Sequence, residues 1–175
     1  METISFFKRL LSLVLLVLLQ VLMLNRINLF GYVTPILYIM MILKLDSGMS
    51  RGSILLWGFF IGLSVDIFSN TLGMHAAAAT LLAMLQPALI KLFITVDRRD
   101  IVKPSLLTMS KGQFFGYILL ASFIHHSIYF LLRTFSLDDW AILIAKVVFS
   151  SLLTTLLIFV LELSLGKQEN RRIKL

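Results

Sequence analysis

The sequence predicts an all-α integral membrane protein, a bundle of about six transmembrane helices forming a single polytopic domain over residues 1–175. Two observations predict it. Hydrophobic residues make up 59% of the chain and charged residues only 14%, with a mean hydropathy of +0.96, whereas a soluble domain needs about 25% charge to wet its surface. The apolar residues also fall into stretches near the length of about 20 residues that a helix needs to cross the hydrocarbon core.

The expected spans cover residues 6–24, 28–44, 53–69, 75–95, 114–133 and 140–165. The first follows a basic flank, as a signal peptide would. No small-residue cleavage site follows it, so it reads as an uncleaved span. The second is the weakest, because Gly31 and Pro35 interrupt its start and only Ile36 to Leu43 is uniformly apolar. Proline is tolerable near a first turn, where its missing donor costs little. The third, "GFFIGLSVDIFS", carries one acid near its outer end. In the fourth, Gln86-Pro87 sits mid-span and predicts a kink, with Thr80 or Gln86 available to the carbonyl that proline leaves unpaired. The fifth holds the adjacent pair His125 and His126. The sixth starts at Trp140 and carries Lys146, with Ser150, Ser151, Thr154 and Thr155 below it as candidates for hydrogen bonds across helices or back to their own carbonyls.

Charge orients these spans. With a cytoplasmic N-terminus, 13 of the 16 Lys and Arg fall on inner segments; Arg26 and Arg133 fall outside, and Lys146 lies within the last span. The positive-inside rule therefore places both termini in the cytoplasm. The net charge of +7 is topological on this reading and does not imply nucleic-acid binding. The "DRRD" turn and the tail "KQENRRIKL" suit anionic headgroups, or the docking of a cytoplasmic protein.

Cysteine is absent, which excludes disulfides and thiolate chemistry. Neither a phosphate-binding G-x-x-x-x-G-K-[ST] nor H-E-x-x-H nor G-x-S-x-G occurs, so nothing argues for an enzyme or a cofactor. No metal site is expected, because adjacent histidines diverge by about 100° on a helix.

Polar residues inside the spans carry the functional question. Gly58, Gly62 and Asp66 recur at steps of four and share one helix face, suited to close packing within the bundle or against a partner. Asp66, His75, His125, His126 and Lys146 fall at a common depth in the outer leaflet. They form a candidate buried polar layer, since intramembrane ionisable groups usually turn inward and pair. Asp66 is expected to act as a clasp by pairing with Lys146 or a histidine; a proton relay or solute site is the alternative.

At "GFFIGLSVDIFSNTLGMHAAAATLLAML", residues 58–85, the chain resembles the rod shape-determining MreD family. The positions that carry the likeness are Gly58, Gly62, Asp66, Leu72, Gly73 and His75. Chain length, span number and cytoplasmic termini agree with it. The resemblance implies a non-enzymatic scaffold of the bacterial inner membrane that supports peptidoglycan synthesis and rod shape within the elongation machinery (elongasome). Its implied partners are a single-span MreC-like protein, a RodA-type glycosyltransferase with its penicillin-binding transpeptidase, and the actin-like MreB. The implied fold is similar to the substrate-binding subunits of energy-coupling-factor vitamin transporters. Such a subunit, or a small proton-coupled carrier, is the rival function. Such substrate-binding subunits offer an Ala-x-x-x-Ala face on their first span to their coupling partner; here "LLSLVLLVLLQVLML" is bulky throughout.

Overall fold

The computed structural model describes residues 2–27, 33–94, 102–134 and 139–173. The described residues are helical: α1 (Glu2–Leu22), α2 (Ile39–Leu43), α3 (Arg51–Ser69), α4 (Met74–Phe93), α5 (Lys111–Arg133) and α6 (Trp140–Ile173), with a 3-10 turn at Leu24–Arg26. All but α2 are long and apolar enough to cross a membrane, giving a multi-pass helical architecture.

The second expected span is corrected. Residues 28–32 lie outside the described residues, residues 33–37 are non-helical, and α2 has only 5 residues. The cause is local: Pro35 has no N–H to donate, and its ring disfavours helical backbone at Thr34. The stretch still runs through the bundle. The Thr34 amide donates to Ser150 Oγ at 3.1 Å, and Lys44 Nζ pairs with Glu162 Oε2 at 2.7 Å. Ser150 and Glu162 are about 18 Å apart along α6. The chain from Thr34 to Lys44 therefore passes more than half of a hydrocarbon core about 30 Å thick.

One end of the bundle is marked by the ion pairs Arg9–Asp46 and Lys44–Glu162 and by Ser47, whose amide donates to the Val102 carbonyl at 2.9 Å. At the opposite end Asn25 Nδ2 donates to Ser69 Oγ at 2.7 Å. The start of α1 and the later half of α6 thus lie at the same end.

Helix ends follow their caps. Ser50 accepts the Ser53 amide to start α3, and Ser110 and Gln113 form a reciprocal capping box at α5. Asn70, left-handed at φ 53°, stops α3. α3 and α4 then pack antiparallel at close range. A Cβ on Gly58 would stand 2.6 Å from Ala83 Cβ and 2.9 Å from the Ala79 carbonyl oxygen; one on Gly62 would stand 2.5 Å from the His75 carbonyl oxygen. The face formed by Gly58 and Gly62 is therefore filled by α4 and is not open to a partner helix.

Pro87 lies inside α4 as expected, but its neighbours are used otherwise. Thr80 Oγ1 donates to the Ala76 carbonyl, and Gln86 Nε2 reaches the Leu45 carbonyl at 3.0 Å. Tyr117 likewise donates to the Leu43 carbonyl at 3.0 Å, so two carbonyls at the end of α2 find side-chain donors.

Candidate functional site: a buried polar layer

Where α3 hands over to α4, the chain turns through Thr71, Leu72 and Gly73. Gly73 occupies the N-cap of α4 at φ 76°, a conformation glycine adopts without strain. Glycine has no side chain with which to accept the free amides of the first turn. Asp66 supplies that acceptor from the preceding helix: its Oδ1 accepts the His75 amide at 3.1 Å and its Oδ2 the Ala76 amide at 2.8 Å. The Thr71 hydroxyl donates to Oδ1 as well. A carboxylate only 3% exposed is thus held by three donors at the positive end of a helix dipole. The ion pairs that join described residues are Arg9–Asp46 and Lys44–Glu162, and Asp66 is in neither. The expected Asp66–Lys146 clasp is replaced by this cap; Lys146 is half-buried on α6.

From His75 the layer continues through a residue the sequence reading missed. Tyr38, immediately before α2 and fully buried, places its hydroxyl 3.1 Å from His75 Nδ1 and 2.9 Å from His125 Nε2. A phenol has one proton, so it donates to one imidazole and accepts from the other. The His75 ring also stacks on Tyr129, with centroids 4.4 Å apart. His126 turns away from this triad, as divergence on the helix requires. Its Nδ1 lies 2.8 Å from the Ser122 carbonyl, which can only accept; the proton is therefore on Nδ1. Nε2 faces Thr154 Oγ1 at 3.4 Å.

Thr154 belongs to a second set of contacts that explains how non-helical backbone survives inside the bundle. Its Oγ1 accepts the Ile36 amide at 3.0 Å, and Ser150 accepts that of Thr34. Gln20 of α1, fully buried, accepts the Leu37 amide at 2.7 Å and donates to the Pro35 carbonyl at 3.0 Å. Irregular backbone at membrane depth is tolerated where protein replaces water as its partner, and these three side chains do so. Ser151 and Thr155 take the other course open to such hydroxyls and donate to carbonyls of α6 itself.

Asp66, His75, His125 and His126 therefore occupy one buried region, linked through Tyr38 and Thr154, with Gly58, Gly62 and Gly73 setting the α3–α4 geometry on which it rests. Tyr38 and Gln20 were legible only as single polar residues in apolar runs. Among the described residues, no three His, Cys, Asp or Glu gather to hold a metal ion. Among the described residues, the fully buried side-chain polar atoms without a hydrogen-bond partner are Ser122 Oγ and His125 Nδ1 in the layer and Gln86 Oε1 nearer α2. This chemistry suits a rigid framework. Neither the family models, nor the curated proteins, nor the solved structures contain a match to this chain.

Proposed function

We propose that the protein is a non-enzymatic scaffold of the MreD type in a bacterial inner membrane, with both termini cytoplasmic. On this reading it binds a single-span MreC-like partner and supports the RodA-type glycosyltransferase and its transpeptidase. The motif at residues 58–85 supports it. The observation that carries most weight is the use made of Asp66, the motif's only charge: its oxygens are taken up by Thr71, His75 and Ala76. A carrier built on this residue would need those oxygens for its cargo. The crossing segment is likewise packed inside the bundle, with Ile36, Tyr38 and Ile39 fully buried.

Because α4 covers the glycine face, a partner helix has to use another surface. α1 presents Phe7, Leu11, Val14, Leu18 and Leu22 outward, at steps of three and four that suit side-by-side helix packing. The test is purification of the tagged full-length protein from its native membrane in mild detergent, followed by identification of what accompanies it. Enrichment of an MreC-like protein with cell-wall synthases is expected. Recovery with a transport ATPase and its coupling subunit, or with a bound vitamin, would replace the scaffold reading.

A further inference from the structure

Between α1 and α3, at the end of the bundle marked by the ion pairs, lies a groove of about 1070 Å³. That is the upper end of the size range of small-molecule sites, about 300–1,000 Å³. Its walls are apolar: Leu10 on α1 and Leu56 and Phe60 on α3 are 40%, 57% and 53% exposed, and Phe6 meets Trp57 with ring centroids 5.7 Å apart. Its mouth is polar, formed by Arg9, Asp46, Ser50 and Ser53.

Length decides what kind of occupant fits. Along α3 the groove runs from Ser53 to Ser64, about 16 Å at 1.5 Å per residue. One leaflet of a hydrocarbon core about 30 Å thick measures about 15 Å. A helix crossing the whole bilayer would find only half its length covered, whereas an acyl chain entering from the inner surface fits the groove end to end. Charge decides the headgroup. Arg9 and Asp46 pair with each other at the mouth, and their side chains remain 28% and 27% exposed. The contact uses Nη2 of the guanidinium and Oδ2 of the carboxylate. The guanidinium's remaining donors suit a phosphate, and the other carboxylate oxygen suits an ammonium. A mouth whose described charges are one cation and one anion side by side matches a zwitterion. It favours a primary ammonium, which can donate to Asp46, over a quaternary one, which cannot.

We infer that this groove is a binding site for phosphatidylethanolamine of the inner leaflet, with phosphate on Arg9, ammonium on Asp46 and one acyl chain along Leu56 and Phe60. The site does not depend on the scaffold role, but its placement in the inner leaflet rests on the cytoplasmic termini proposed above. The lipid anchors α1, which is the span least buried in the bundle, to α3.

Native mass spectrometry of the delipidated full-length protein, titrated with phosphatidylethanolamine, phosphatidylcholine and phosphatidylglycerol of matched chains, tests it. Phosphatidylethanolamine should be retained about tenfold more tightly than the others, a difference of about 1.4 kcal/mol. Asp46→Asn should reduce it to the level of phosphatidylcholine. Leu56→Trp, which fills the groove from an exposed position, should displace all three, so the test stands even if the Asp46 variant fails to fold. Equal retention of the three headgroups, or retention unchanged by Leu56→Trp, would overturn the proposal. So would a photo-crosslinker at Leu56 that captures a partner's helix and no lipid in native membranes.

Discussion

The carboxylate of Asp66, near the end of α3, accepts the Ala76 amide in the first turn of α4 at 2.8 Å. One residue thus serves as the N-cap side chain of a helix it does not belong to. It leaves Gly73 free to take the positive φ that the tight turn needs.

Loss of this acceptor should destabilise the α3–α4 pair. Hydrogen bonds to a charged group contribute about 1.5–3 kcal/mol each, so Asp66→Ala should cost about 3–5 kcal/mol and Asp66→Asn distinctly less. Thermal unfolding in detergent would measure both. The charge-reversed pair Asp66→Lys with Lys146→Asp should be no more stable than Asp66→Lys alone, because a lysine cannot accept the His75 and Ala76 amides. Recovery in the double variant would return the clasp to Lys146.

Gly62→Ala should be more damaging than Gly58→Ala. The new methyl at Gly62 meets backbone atoms of His75 and Ala76 at 2.5–2.7 Å, whereas at Gly58 the nearest atom is the Ala83 side chain. Overpacking costs about 1–3 kcal/mol, and the upper part of that range is expected at Gly62. Gly112→Ala, in open space on α5, is the control and should be neutral or slightly stabilising. Equal losses at the two α3 glycines would mean that α4 shifts as a unit.

Tyr38→Phe keeps the ring and removes the hydroxyl that His75 and His125 share. Each buried partner left unsatisfied costs about 1–3 kcal/mol. A double-mutant cycle of Tyr38→Phe with His125→Leu should show coupling of about 0.5–3 kcal/mol, as groups in one network do. Additive losses would show that Tyr38 serves the core by packing alone.

What the sequence made legible divides along physical lines. The five long helices follow from apolar length, and the common depth of Asp66, His75, His125 and His126 follows from counting residues along spans. Partners did not follow. Coulombic intuition pairs Asp66 with Lys146, but a helix N-terminus immediately after a tight turn is a closer source of donors than another span. Glu162, 3% exposed and paired with Lys44, is not singled out by the sequence reading, although it lies within the sixth expected span. The second crossing misled for a related reason: hydropathy reports that a segment is buried and not which backbone conformation it takes, and Gly31 and Pro35 were the signals that a helix would be weak there.

That crossing gives the last expectation. Between Thr34 and Leu37 the backbone has no helical ladder, so its polar groups depend on Ser150, Thr154 and Gln20. Gln20 serves two of them, the Leu37 amide and the Pro35 carbonyl, and is fully buried. Gln20→Leu preserves bulk and would make α1 more apolar, so hydropathy alone forecasts a neutral or improved span. The hydrogen bonds forecast the opposite. Two backbone groups would lose their partner where no water can replace it, at a cost of several kcal/mol. Thr154→Val deprives one backbone group, the Ile36 amide, and removes the longer contact to His126 Nε2, and it should cost less than Gln20→Leu. Hydrogen–deuterium exchange in detergent should show protection falling at Ile36 and Leu37 in Gln20→Leu while the α3–α4 pair stays protected. Unchanged exchange there would mean that the segment is held by the packing of Ile36 and Tyr38 and not by its polar partners.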